Sequence, residues 1–187
     1  MIGECSNEIL KKNFDIVLQD RNTTPMEFIS FSNGGESWTG HLLIMERENI
    51  SIEKAFALFT FRTLCLFEEW NIDDTFSEEQ IKNIFNMTIS EYNDNDIIEE
   101  RNIDYFMAHS NYIYLIDSST ENLPTNRSCC QISINNHVID SSKLNEFDPL
   151  KGFVVKECFQ VKDKWNFQYY ILVTDDKYIY YEGWTNA

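Results

Sequence analysis

Glycine and proline are scarce, six and three residues in a chain of 187, which excludes a collagen-like repeat and a flexible Gly/Ser linker. Positive charge is short as well: 15 Lys and Arg face 31 Asp and Glu, a net charge of −16. A surface of that sign repels phosphate backbones and anionic lipid, so no direct contact with nucleic acid or membrane is expected. No apolar run approaches the ~18 residues that a bilayer-spanning helix needs. Internal repeats are missing too. What the chain does have is material for a core, with 43% hydrophobic and 14% aromatic residues. At this length such a composition predicts one folded domain over residues 1–187.

The five cysteines, Cys5, Cys65, Cys129, Cys130 and Cys158, are odd in number, and the adjacent pair is bridged only under strain. The opening Met-Ile-Gly-Glu-Cys-Ser-Asn-Glu lacks the basic stretch of a secretory signal. A reduced, cytoplasmic protein is the expectation.

Periodicity divides the chain into an early helical part and a later strand part. Residues 8–20 read as a short helix or as a helix running into a strand. Runs at 26–32 and 40–46, separated by Asn33-Gly34-Gly35, predict a β-hairpin. From Ser51 the run Ala55, Phe56, Leu58, Phe59, Leu64 predicts a helix apolar on most of its circumference, hence a buried one. Ser77-Glu78-Glu79-Gln80 is a capping box, and Ile81, Ile84, Phe85, Thr88 and Ile89 continue it as an amphipathic helix. After residue 103 the period becomes two, predicting strands at 103–108, 112–117, 129–134, 153–161, 165–173 and 177–183. Polar turns at Lys162-Asp163-Lys164 and Thr174-Asp175-Asp176 would join the last three as an antiparallel meander. The fold class expected is α+β, with helices packed on one face of the sheet.

Charge is concentrated. From Glu68 to Asp104 twelve carboxylates face only Lys82 and Arg101, so ten of the sixteen net negative charges fall in that stretch. One reading is a solvated helix face that aids solubility. The other is a docking surface for a basic protein, since complementary potential speeds encounter and suppresses wrong partners. Asp73, Asp74, Glu78 and Glu79 flank the start of the second amphipathic helix; Asp94, Asp96, Glu99 and Glu100 follow its end. Asn93-Asp94-Asn95-Asp96 gathers oxygens but lacks the glycine and the twelfth-position glutamate of a calcium loop, and no metal is expected there.

The C-terminal strands are rich in tyrosine. If Phe167, Tyr169, Ile171 and Val173 face the core, Tyr170 and Leu172 face the other way, with Tyr112, Tyr114, Tyr178 or Tyr181, and Trp184 as neighbours. Either a helix or the 117–129 segment covers that second face, or Tyr170 and Trp184 anchor a protein partner or a second copy as a homodimer.

Catalytic signatures are thin. His41, His109 and His137 are the only histidines. Cys129, Cys130 and His137 lack the two-to-four-residue ligand spacing of structural zinc. Asn33-Gly34-Gly35 has no following Lys-Ser/Thr and is not a phosphate loop. Adjacent glutamates at 68/69 and 78/79 diverge on a helix and cannot share a substrate. No cofactor is expected. An enzyme with a Cys/His or carboxylate site assembled across the fold stays open as an alternative.

Size, acidity, the Glu68–Asp104 belt and the α+β pattern resemble the small acidic immunity proteins of bacterial toxin–immunity systems, such as those of contact-dependent growth inhibition. Pro25-Met26-Glu27-Phe28 leading to Asn33-Gly34-Gly35 is similar to the Pro…Phe…Asn-Gly-Gly signature of the SUKH immunity superfamily. The resemblance implies a protein that binds and blocks a cognate toxin, often a basic nuclease, by occluding its working surface.

Overall fold

A computed structural model describes residues 3–20, 25–33, 38–67, 76–91, 96–110, 112, 131–134, 137–139, 150–164 and 166–185. The expected α+β class holds: four helices and an eight-stranded, antiparallel sheet are formed among them. The chain groups into two compact units, residues 1–25 with 47–99, and residues 26–46 with 100–187.

The first unit is helical. α1 (Ser6–Asp20) resolves the ambiguity at 8–20 in favour of helix along its whole length, and α2 (Ile52–Phe67) and α3 (Glu78–Glu91) follow the predicted spans. Ser51 starts α2 by accepting the Lys54 N–H on its Oγ at 3.3 Å, and Ala55 through Phe61 are all buried. The capping box of α3 is present in both directions. The Ser77 N–H donates to Gln80 Oε1 at 2.9 Å, and the Gln80 N–H donates to Ser77 Oγ at 3.3 Å. Phe85 of α3 meets Phe14 of α1 and Phe61 of α2 at ring distances of 5.2 and 6.4 Å. The segment at Asp96–Ile98 is clipped to the start of α1: the Ser6 N–H and Oγ–H both donate to the Asp96 carbonyl, and Ile98 exchanges backbone bonds with Gly3 and Glu4.

The second unit is the sheet, ordered β3-β6-β7-β8-β2-β1-β4-β5. Its strands are β1 (Glu27–Asn33), β2 (Trp38–Glu46), β3 (Glu99–Arg101), β4 (Gln131–Ile134), β5 (His137–Ile139), β6 (Glu157–Lys164), β7 (Phe167–Val173) and β8 (Lys177–Thr185). β1 and β2 form the expected hairpin. β6, β7 and β8 form the expected meander, and β8 closes onto β2 over nine residue pairs. The Thr174-Asp175-Asp176 turn is tied by the Thr174 hydroxyl, which accepts the Lys177 N–H at 2.9 Å.

Three expectations are corrected. Residues 103–108 belong to a helix, α4 (Ile103–His109), and not to a strand. In so short a run Ile103, Phe106 and Met107 satisfy helical spacing as well as Ile103, Tyr105 and Met107 satisfy alternation. Asn102 decides the matter by capping the Tyr105 N–H at 2.7 Å. Lys162-Asp163-Lys164 is strand, because a register shift between Gln160 and Lys162 absorbs one residue and the strand continues to Lys164, opposite Phe167. Residues 153–156 precede β6, after a turn in which Gly152 takes φ +100°. The predicted strand at 112–117 lies outside the described residues beyond Tyr112.

α4 covers one sheet face. Phe106 enters a cluster with Leu42, Ile44, Cys158, Tyr170, Leu172, Ile179 and Tyr181. Its ring meets Tyr170 and Tyr181 edge-on at 5.1 and 5.3 Å, the arrangement aromatic quadrupoles favour. Leu43, Tyr178, Tyr180, Ile171 and Val173, on the opposite face, are buried too.

Candidate functional site

The described part of the acidic belt reaches solvent. Glu78 and Glu79 are exposed in the first turn of α3, where the helix dipole favours negative charge. Glu99 and Glu100 are exposed on β3, and alternation along the strand sends their side chains to opposite sides. Asp96 is half-buried, its carbonyl occupied at the start of α1. Asp73, Asp74 and Asp94 lie outside the described residues.

Four surface carboxylates outside the belt are matched by lysines. Glu8 pairs with Lys11 at 2.8 Å, Glu4 with Lys12 at 3.2 Å, Asp175 with Lys156 at 3.5 Å, and Glu46 with Lys177. No ion pair among the described residues involves Glu78, Glu79 or Glu100. Lys82, one turn further along α3, forms no ion pair with Glu78 or Glu79, so none of the three carboxylates is neutralised by a salt bridge.

The aromatic half of the expected surface divides. Tyr170 is fully buried beneath α4, in ring contact with Phe106. It has no surface to offer, and its place as a partner-binding residue is corrected: the covering element is α4, whose residues had read as a strand. Trp184 lies on the other face. Register pairs Tyr170 with Tyr181 and Trp184 with Phe167, so the two expected anchors point to opposite sides of the sheet. Trp184 is half-exposed and meets the His41 ring at 4.5 Å and 80°.

That second face holds an arrangement the sequence reading missed. Across five neighbouring strands the register aligns Ser30, His41, Glu182, Tyr169 and Lys162. Along β8, Tyr180 and Trp184 stand two residues either side of Glu182 and share its face. Every nearest neighbour of Glu182 on the face is therefore a ring: His41 and Tyr169 across the strands, Tyr180 and Trp184 along them. Tyr180 and His41 are buried, whereas Tyr169, Glu182 and Trp184 are half-exposed and Phe167, diagonal to Glu182, is 39% exposed. The Lys162 ammonium lies 5.5 Å from the Tyr169 ring centre. One signal was available in the sequence: strict alternation over Tyr178, Tyr180, Glu182 and Trp184 puts the glutamate between rings. Its cross-strand neighbours needed the register.

Two groups are strongly shifted, and both shifts make them chemically quiet at neutral pH. Burial lowers His41 from 6.5 to about 3, leaving a neutral imidazole too weak a base to accept a proton. Burial pushes the Cys158 thiol up to about 12, against the opposing pull of the Arg101 charge, so no thiolate nucleophile forms. Among the described residues no group of three or more His, Cys, Asp or Glu side chains is placed to hold a metal ion. No described helix is long and apolar enough to cross a membrane.

No protein-family model matches the chain, and no curated protein or solved structure matches it.

Proposed function

We propose that the protein is a binding protein that neutralises a basic protein partner, in the manner of an immunity protein against a nuclease toxin. One observation carries this reading: Glu78, Glu79 and Glu100 are exposed and make no ion pair, in a stretch that holds ten of the chain's sixteen net negative charges. Unneutralised like charges destabilise the fold that bears them. A partner with the opposite sign removes that repulsion on binding and is drawn in by the same field, at rates up to ~10³-fold above an unsteered encounter. Occlusion of the partner's working surface then follows from the docked position. A chain of this acidity has little direct affinity for nucleic acid, so the nucleic-acid chemistry would belong to the partner.

Recovery of the protein from its native cells under low salt, with identification of whatever remains attached, tests the proposal. A basic polypeptide recovered in one-to-one ratio and released by raising the salt supports it. A protein that emerges alone at low salt, or with an acidic companion, contradicts it.

A further inference from the structure

A hydroxyl buried without a partner forfeits the hydrogen bonds it makes to solvent in the unfolded chain, so protein interiors supply such groups with one. Among the described residues of the sheet unit, the Ser110 and Tyr181 hydroxyls are both buried, and neither has a hydrogen-bond partner within the chain. They stand around one point. The Tyr181 ring leans back so that its hydroxyl rests over the α-carbon of Gly183. Gly183 pairs with Gln168 on the next strand, and Gln168 Nε2 donates to the His109 carbonyl at 2.9 Å. Ser110 is the following residue and the C-cap of α4. Phe106 and Tyr112, on either side of it in the chain, meet the Tyr181 ring at 5.3 and 5.8 Å. The sheet leaves room here, because Gly183 also pairs with buried Gly40 and the two glycines put no side chain on that row.

We infer that one internal water molecule binds at the C-terminal end of α4, bridging the Ser110 and Tyr181 hydroxyls. The site is independent of the partner reading above. The surrounding rings and the close fit at Gly183 call for a very small ligand that both donates and accepts, and water is that ligand. Burial raises the Tyr181 phenol well above its usual range, so it stays an O–H donor at physiological pH. The Ser110 hydroxyl can donate or accept, and the His109 carbonyl, with one lone pair taken by Gln168, has a second to offer. These groups supply about the three partners usual for an internal water. Held in this way, the water adds to the Gln168 bond a second tie between the end of α4 and the sheet, and so helps seat the helix that covers Tyr170.

Oxygen-17 relaxation dispersion of the solvent counts long-lived internal waters. The difference between the full-length parent and the double variant Ser110→Ala, Tyr181→Phe isolates this one, and a loss of amplitude worth about one water is expected. Urea midpoints give a second reading. With a shared water, Ser110→Ala and Tyr181→Phe should each lower the midpoint, and the double variant should lower it by less than the sum. A high-resolution crystal structure should place a water about 2.7–3.2 Å from both hydroxyl oxygens. Unchanged dispersion amplitude would overturn the inference, as would strictly additive losses or a direct hydrogen bond between Ser110 and Tyr181. A rise of the midpoint in either single variant would overturn it too, since that is the effect of deleting a hydroxyl that truly lacks a partner.

Discussion

The Tyr181 ring lies back over the α-carbon of Gly183, two residues further along the same strand. A Cβ at Gly183 would stand 2.7 Å from Tyr181 Cζ and 3.0 Å from Cε1, closer than carbon atoms approach. The glycine is thus a packing requirement of the aromatic cluster under α4, where Tyr181 is fully buried. Gly183→Ala is expected to destabilise by about 1–3 kcal/mol, the usual cost of overpacking a filled core. Urea unfolding measures it. Tyr181→Phe combined with Gly183→Ala should recover part of that loss, because the hydroxyl at the crowded point is removed.

His41 links stability to acid. Its imidazole is held near 3 when folded and returns to about 6.5 when unfolded. Between those values the unfolded chain binds the proton and the folded chain does not, so acid favours unfolding. Stability from this source is complete above pH 6.5 and is lost as pH falls towards 3, at up to about 1.4 kcal/mol per pH unit. Denaturation midpoints from pH 7 to 4 should therefore be less steep with pH in His41→Phe than in the parent.

Cys158 and Tyr181 act at the alkaline end. Burial raises both, Cys158 from 9.0 to about 12. Their contribution is intact below the unfolded values and is lost as pH rises through the folded ones, because the unfolded chain releases the proton first. Midpoints measured from pH 8 to 11 should fall, and Cys158→Ala should flatten part of the slope.

The α3 cap and the α4 anchor give two stability tests of different size. Ser77→Ala leaves the Gln80 N–H without its capping oxygen and should cost about 1 kcal/mol. Phe106→Ala empties the space among Tyr112, Tyr170 and Tyr181 and should cost about 3–5 kcal/mol. Thermal unfolding ranks the two. A loss at Phe106 no larger than at Ser77 would show that α4 is not what fills that sheet face.

Helices with a cap and a long stripe were legible in the sequence. Ser77 to Ile89 carries both signals over three turns, and Ser51 introduces a run too apolar to be anything but buried. The hairpin and meander were legible from turns flanked by alternation. Reading failed where a run was short enough to satisfy two periods, as at Ile103–His109, and where polarity imitated a turn, as at Lys162–Lys164. The first failure hid the cover over Tyr170 and so misplaced one expected anchor. The frame around Glu182 was half legible: its neighbours on β8 follow from alternation, but His41 and Tyr169 are 141 and 13 residues away in the chain and meet it only through strand pairing. Charge clustering is readable by counting, whereas pairing is not; only coordinates separate Glu46, matched by Lys177, from Glu78 and Glu79.

The central claim is that unpaired carboxylates steer a basic protein, and association kinetics reach it most directly. With the partner recovered from native cells, the association rate constant would be measured against ionic strength for the parent and for the triple variant Glu78→Lys, Glu79→Lys, Glu100→Lys. The account predicts at least tenfold slower association at low salt and a clearly shallower salt slope in the variant. Identical rates and slopes in the two proteins would contradict it.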